Sequence, residues 1–233
     1  MARFLIIAAS SAIGQSVVEQ LVNVGHTVIT TARNDSKIKP DYYLEASDFQ
    51  AVDEVFSKVG ELDGVLNCSG SLLLKSAHTT TEAEYHSVIQ SSLSTAFATV
   101  RSSGKYMTQG GSVVLMASAA ARIGLPHHEA IAAAKAGIIG LMLSGAATYA
   151  GMNLRFNVVA PGLIESPLTA SITTNPLLRK ASESMHALGR LGKPIDVANA
   201  IVFLLDPQNS WMTGQVLGVD GGLGSILSKP KKP

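Results

Sequence analysis

Charge is scarce in this chain. Asp, Glu, Lys and Arg make up 15% of its 233 residues and the formal net charge is +1, where an ordinary soluble domain is about 25% charged. So little net charge gives no electrostatic reason to hold nucleic acid or an anionic membrane, and neither is expected as a partner. Cysteine is nearly missing too. Cys68 stands alone, which excludes an intrachain disulfide and suits a reducing, cytoplasmic compartment. The six histidines have no acidic or cysteine partners at ligand spacing, so no metal site is expected. No Gly-x-Ser-x-Gly elbow points to a hydrolase. The apolar run at 4–9 is too short to cross a bilayer and lacks the layout of a cleaved signal. Repeats and long low-complexity stretches are absent.

What is present is apolar. Hydrophobic residues are 46% of the chain, enough for a large core and for some surface buried against further copies of itself. Composition does not break along the sequence, so a single domain is expected over 1–225. A disordered basic tail is expected at 226–233.

Periodicity supplies the architecture. Residues 3–8 form a continuous apolar run, as in a parallel strand covered on both faces. Residues 12–24 carry Ile13, Val17, Leu21 and Val24 at helical spacing, with Gly25 as a stop. Residues 27–31 are β-branched and read as a second strand. Further strands are expected at 64–67, 112–117, 154–159 and 216–219, and helices at 47–59, 82–106, 127–150 and 194–205. Strands alternating with helices imply right-handed βαβ units. The fold class is therefore α/β: a doubly wound, mostly parallel sheet with helices on both faces, Rossmann-type.

Several segments point to a nucleotide. The first strand-to-helix turn reads Ile7-Ala8-Ala9-Ser10-Ser11-Ala12-Ile13-Gly14. In such turns glycines let the chain bend tightly and bring N–H groups of the helix end against a pyrophosphate. Taken alone, this turn reads equally as one without a ligand. Asn67-Cys68-Ser69-Gly70 closes the strand at 64–67, Lys135 follows in Ile131-Ala132-Ala133-Ala134-Lys135, and Pro161-Gly162-Leu163-Ile164-Glu165-Ser166 follows the strand at 154–159. Arg190-Leu191-Gly192-Lys193-Pro194, Thr213-Gly214-Gln215 and Val219-Asp220-Gly221-Gly222 complete the set. Together, over about residues 3–224, these segments resemble the short-chain dehydrogenase/reductase family.

The resemblance implies a nicotinamide cofactor and a set of site residues. Ala8 and Ala12 take the first two glycine places of the family's phosphate turn, and Gly14 keeps the third. Alanine at a positive φ costs about 1 kcal/mol, and the methyl of Ala12 would crowd a phosphate. Ser10, Ser11 and Ile13 complete the turn. Ala32 stands where an acidic residue would hold the adenosine ribose, and Arg33 beside it can pair with a 2′-phosphate. NADP(H) is thus favoured over NAD(H), although Arg33 also reads as a solvated charge opening a loop. Asn67, Ser69, Gly70, Pro161, Gly162, Ile164 and Ser166 map onto the nicotinamide side.

For the reaction, the resemblance places Ser118 as the hydroxyl steadying an oxyanion and Lys135 as the lysine that also holds the nicotinamide ribose. Ile131 occupies the tyrosine place and Ser92 the asparagine place. Ile131 has no proton to give, and removing a general acid usually costs about 100- to 10,000-fold in rate. His128 is a conceivable replacement acid, or simply a histidine at a helix start. Ordinary carbonyl or alcohol hydride transfer is expected to be impaired. The alternatives are a non-catalytic homologue acting as cofactor sensor or partner subunit, and a scaffold that has lost the nucleotide as well. In the resembled family the helices at 82–106 and 127–150 form subunit contacts, so a homodimer or homotetramer is expected. Residues 166–191 are expected as a small mobile lid. Leu168, Ile172, Leu177, Leu178 and Met185 would serve there as substrate contacts or as packing inside the lid.

Overall fold

A computed structural model describes residues 1–227. Seven parallel strands form one sheet in the order β3-β2-β1-β4-β5-β6-β7. They are β1 (Arg3–Ile7), β2 (Thr27–Ala32), β3 (Tyr42–Tyr43), β4 (Gly64–Asn67), β5 (Gly111–Met116), β6 (Leu154–Pro161) and β7 (Val216–Val219). All eight residues of β6 are buried, which matches the unbroken apolar runs of a strand covered on both sides.

Helices cover the two faces. One core joins the sheet to α2 (Phe49–Val59), α4 (Thr95–Tyr106) and α5 (Glu129–Tyr149), through Phe56, Val100, Ile138 and Met142 against Leu5, Val113 and Phe156. The other joins it to α1 (Ala12–Asn23) and α8 (Pro194–Leu205), through Val17, Leu21, Ile201 and Leu204 against Phe4, Leu66 and Val114. By length and composition α5 could cross a membrane, but here it lies against the sheet with Ile138 and Met142 in the core.

Two departures from the expected elements bear on the site. The segment at 82–106 is not one regular helix: α3 (Glu82–Ile89) passes through a π-helical turn at Gln90–Ser94 into α4. Hydroxyls compete with the ladder there. Ser91 donates to the Ser87 carbonyl at 2.7 Å and Thr95 to the Ser92 carbonyl at 2.9 Å, the back-bonding that bends helices. The segment at 166–191, expected as a small lid, holds two helices that were not expected there, α6 (Ala170–Thr173) and α7 (Pro176–Met185). Asn175 caps α7 by accepting from the amides of Leu177 and Leu178, and Pro176 fills its first turn. The short β3 at the sheet edge was not expected. Ile226 and Leu227 are exposed, and the remainder of the expected tail lies outside the described residues.

Candidate functional site

Strand order reverses between β1 and β4, so their carboxyl ends open a crevice, the usual place for a ligand in such a sheet. Ile7 and Asn67 are paired in register there, and the turns leaving β1, β4, β5 and β6 converge on it.

The turn after β1 begins at Ala8, whose φ is 58°. This is the left-handed region that glycine enters freely and alanine does not. Hydrogen bonds hold it: Ala9 N–H donates to the Thr31 carbonyl at 2.9 Å and Ser11 N–H to the Ala8 carbonyl at 3.1 Å. Ala12 differs, opening α1 with no positive φ, so one alanine of the two is strained. Ser11 caps the helix by accepting from Gly14 N–H at 3.0 Å. A Cβ on Gly14 would lie 2.9 Å from Ser11 Oγ and 3.0 Å from Ala9 Cα, so glycine is required for α1 to pack this close. Ser10, Ser11, Ala12 and Ile13 are half-buried; Ala32 is buried at the end of β2, and Arg33 after it is exposed.

At the end of β4, Asn67 is buried and hydrogen-bonded through both ends of its carboxamide. Its amide donates to Thr99 Oγ1 at 2.9 Å and its carbonyl oxygen accepts from Ser69 N–H at 2.7 Å. Asn67 thus shapes the Cys68–Gly70 turn. A Cβ on Gly70 would sit 3.2 Å from Lys135 Nζ, so the group approaching this glycine is the ammonium of α5.

Lys135 is the electrostatic centre. It is 6% exposed, and Nζ donates to the Met116 carbonyl at 2.8 Å. Burial pulls its pKa down to about 8, because desolvation penalises the charged form. Neighbouring Cys68 supplies no counter-charge, since burial pushes its thiol up to about 12. Ser92 lies in the π-turn, 1% exposed, and Ser92 Oγ and Ser69 Oγ are both buried with no hydrogen-bond partner among the described residues. Ser118 follows β5 in extended backbone; its Oγ accepts from Ala120 N–H at 3.2 Å, and its own proton has no acceptor among the described residues.

Ile131, one helical turn before Lys135, is 4% exposed. It packs with Val88, Ala130 and Ala134, against Leu73 and Ile89. Polar groups therefore gather around Lys135, while the place one turn earlier is hydrocarbon. His128 is half-buried at the start of α5 with Nδ1 donating to the Pro126 carbonyl at 2.7 Å. No hydrogen bond joins it to Ser118 or Lys135 among the described residues.

After β6, Ile164 is buried and bridges to Gly192. Ser166 does not stand free: its N–H donates to Thr169 Oγ1 at 3.1 Å, and Thr169 Oγ1 donates to the Ile164 carbonyl at 2.5 Å. Leu163 N–H donates to His186 Nε2 at 3.1 Å. Thr169 and His186 were not singled out from the sequence, since no spacing rule links them to Ile164 or Leu163. Leu168, Leu177, Leu178 and Met185 are exposed and Ile172 half-buried, so most of these apolar groups are not spent on packing inside the segment. No cluster of three or more His, Cys, Asp or Glu suited to a metal occurs among the described residues.

A family model described as Enoyl-(Acyl carrier protein) reductase matches residues 7–224. The chain is 34% identical to a 3-oxoacyl-[acyl-carrier-protein] reductase of Thermotoga maritima, covering 94% of this chain and 96% of that one. It is 30% identical to the enzyme of the same name in Escherichia coli, covering 94% and 96%. Among solved structures, a short-chain dehydrogenase/reductase from Mycobacterium ulcerans superposes with a TM-score of 0.90 at 25% identity, covering 97% of this chain and 91% of that one. ElxO with NADP bound superposes at 0.89 with 26% identity, covering 97% and 100%, and its Tyr-to-Phe variant with NADPH bound does so equally.

Proposed function

Since the chain belongs to the short-chain dehydrogenase/reductase family of oxidoreductases, we propose that it binds NADP(H) but transfers hydride to ordinary carbonyls, or from alcohols, only slowly. The observation that carries this reading is the contrast on α5: a buried Lys135 with two unpartnered serine hydroxyls near the crevice, and hydrocarbon at Ile131. NADP-bound ElxO and its NADPH-bound Tyr-to-Phe variant are the neighbours that support nucleotide retention.

The residues present fit a dinucleotide. The turn at Ala8 already takes the backbone shape a glycine would give, and the amino end of α1 presents its positive dipole end to a pyrophosphate. Arg33, exposed just past β2, would hold a 2′-phosphate. Ser10, Ser11, Ala12, Ile13 and Gly14 would line the phosphates, while Pro161, Gly162, Ile164 and Ser166 would border the nicotinamide, which supplies or accepts the hydride. Lys135 would hold the ribose hydroxyls. Ser118, its proton unused, would donate to a developing oxyanion. Ile131 and Ser92 supply neither the acid nor the family's asparagine, so a carbonyl oxygen has to take its proton from water. A conjugated alkene, protonated at carbon by water, suffers less from that loss. The same hydrocarbon at Ile131 favours the second reading, a non-catalytic homologue serving as cofactor sensor or partner subunit.

We read the protein further as cytoplasmic and as a homodimer or homotetramer formed through α3–α4 and α5. Phe97 on α4 and Leu143 on α5 are large apolar groups left exposed on those helices. The segment at 166–191, with its exposed leucines, is read as the substrate lid.

A thermal-shift titration tests the cofactor. Ligand at 100 times its Kd should stabilise by about 2.7 kcal/mol, and Arg33→Ala should remove the preference for NADPH over NADH. No shift at millimolar NADPH would remove nucleotide binding from the proposal. Rapid NADPH oxidation with a simple ketone, proportional to protein, would overturn the impairment.

A further inference from the structure

We propose that His186 is a positioning residue that clamps the end of α7 to the Leu163 amide, and that it does so only as a neutral imidazole protonated on Nδ1. It is 3% exposed. Nδ1 lies 2.7 Å from the Ser182 carbonyl, which can only accept, so Nδ1 carries the proton. Nε2 receives Leu163 N–H at 3.1 Å, and an amide can only donate, so Nε2 presents its lone pair. The two contacts together select one tautomer of one charge state.

Three segments meet at this ring. The Pro161–Ile164 stretch touches it so closely that a Cβ on Gly162 would come within 2.6 Å of Nε2. A Cβ on Gly221, in the turn after β7, would lie 3.5 Å from His186 Cβ, and Leu188 N–H donates to the Gly221 carbonyl at 3.0 Å. The third segment is the end of α7, which carries Leu177, Leu178 and Met185. Movement of α7 is thereby coupled to Leu163, which lies between Gly162 and Ile164 of the nicotinamide border. The effect on cofactor rests on the function proposed above; the clamp itself does not.

Protonating Nε2 would set N–H against N–H, and one contact must break. The nearby carboxylates are already engaged. Asp220 accepts from the amides of Gly222 and Gly224 at 2.9 and 3.0 Å and lies 3.9 Å from Arg122. Glu183 pairs with Arg179, and Asp196 pairs with Arg190. Asp220, Arg190 and Asp196 line, with His186, a cavity of about 480 Å³. Acid should therefore release the joint.

The test is hydrogen exchange in the protein without cofactor, corrected for intrinsic rates, at pH 7.5 and at about pH 5. Peptides covering 162–164 and 176–186 should lose protection at least tenfold at pH 5 in the wild type. His186→Gln, whose carbonyl oxygen can accept from Leu163 N–H but does not titrate, should keep its protection at both values, and His186→Leu should lack it at both. NADPH affinity at pH 7.5 should fall about tenfold in His186→Leu and stay within threefold in His186→Gln. Equal pH dependence in the wild type and His186→Gln would overturn the clamp, as would full protection in His186→Leu. If His186→Leu does not fold, the Gln pair at two pH values decides alone. Absence of NADPH binding in the wild type would defeat the proposed function and leave the exchange result standing.

Discussion

Raising the pH should stabilise this protein through one buried side chain. Lys135 has an ordinary lysine pKa near 10.5 when the chain is unfolded and about 8 when it is folded. Between those values the unfolded state binds more protons than the folded one, so stability rises with pH. Below about pH 8 both states are charged and the folded state bears the desolvation penalty; above about pH 10.5 both are neutral and the penalty is gone. A shift of this size corresponds to about 3 kcal/mol over the whole window, of which about 2 kcal/mol falls between pH 7.5 and 9.5. Cys68 works in the opposite direction: its thiol, pushed up to about 12 in the fold, stays neutral while the unfolded thiol ionises, so its contribution to stability falls over part of the same range. Urea unfolding at the two pH values reads the Lys135 contribution as roughly 1 M of midpoint shift beyond that of a variant lacking this lysine, in which Cys68 titrates alike. Other groups titrate near the upper value, so the comparison is with Lys135→Met, which removes the charge and also the Nζ donor to the Met116 carbonyl. The wild type should gain about 2 kcal/mol more than the variant on going from pH 7.5 to 9.5. Equal gains would mean that Lys135 is solvated in the folded state, and the electrostatic reading of the site would fall with it.

Two substitutions probe α5 and its neighbours. Ile131→Tyr should raise NADPH-dependent reduction of a simple diketone by at least about 100-fold, at a cost of about 1–3 kcal/mol for overpacking a buried position. A folded, NADPH-binding variant no faster than its parent would show that the missing hydroxyl is not the sole defect. Gly104→Ala should destabilise although alanine is the better helix former: its Cβ would run into the Tyr149 ring, coming within 2.5 Å of the hydroxyl oxygen, and Tyr149 is backed by Phe156 at a 5.7 Å centroid separation. The overlap, about 1–3 kcal/mol, outweighs the propensity gain of about 1 kcal/mol, and calorimetry should find Tm lowered by a few degrees. A raised Tm would refute the close contact of α4 and α5.

Residues that announce themselves locally were legible. The runs at 3–8 and 154–159, the stop at Gly25 and the Pro194 start of α8 all act through neighbours in sequence. Ala8 belongs with them, because a tight βα turn demands a positive φ whichever residue occupies it, and the chain took that shape at φ 58° with a methyl group aboard. Lys135 and Ile131 were placed one helical turn apart by spacing alone. The meaning of that spacing was hidden: which face of α5 receives a buried ammonium and which receives leucine and valine depends on α3, β4 and β5 arriving from elsewhere.

Sequence alone therefore determined six of the seven strands, their alternation with helices and the segments that surround the crevice, since strand and helix periods, caps and turn residues are written within a few positions of one another. Tertiary structure decided what each site residue touches. It put the ammonium of Lys135 against Gly70, interrupted the expected helix at Ser92, and tied Leu163 to His186 across 23 residues of chain. Desolvation and hydrogen-bond pairing act through space, and no local pattern records which distant groups will meet once the core has closed.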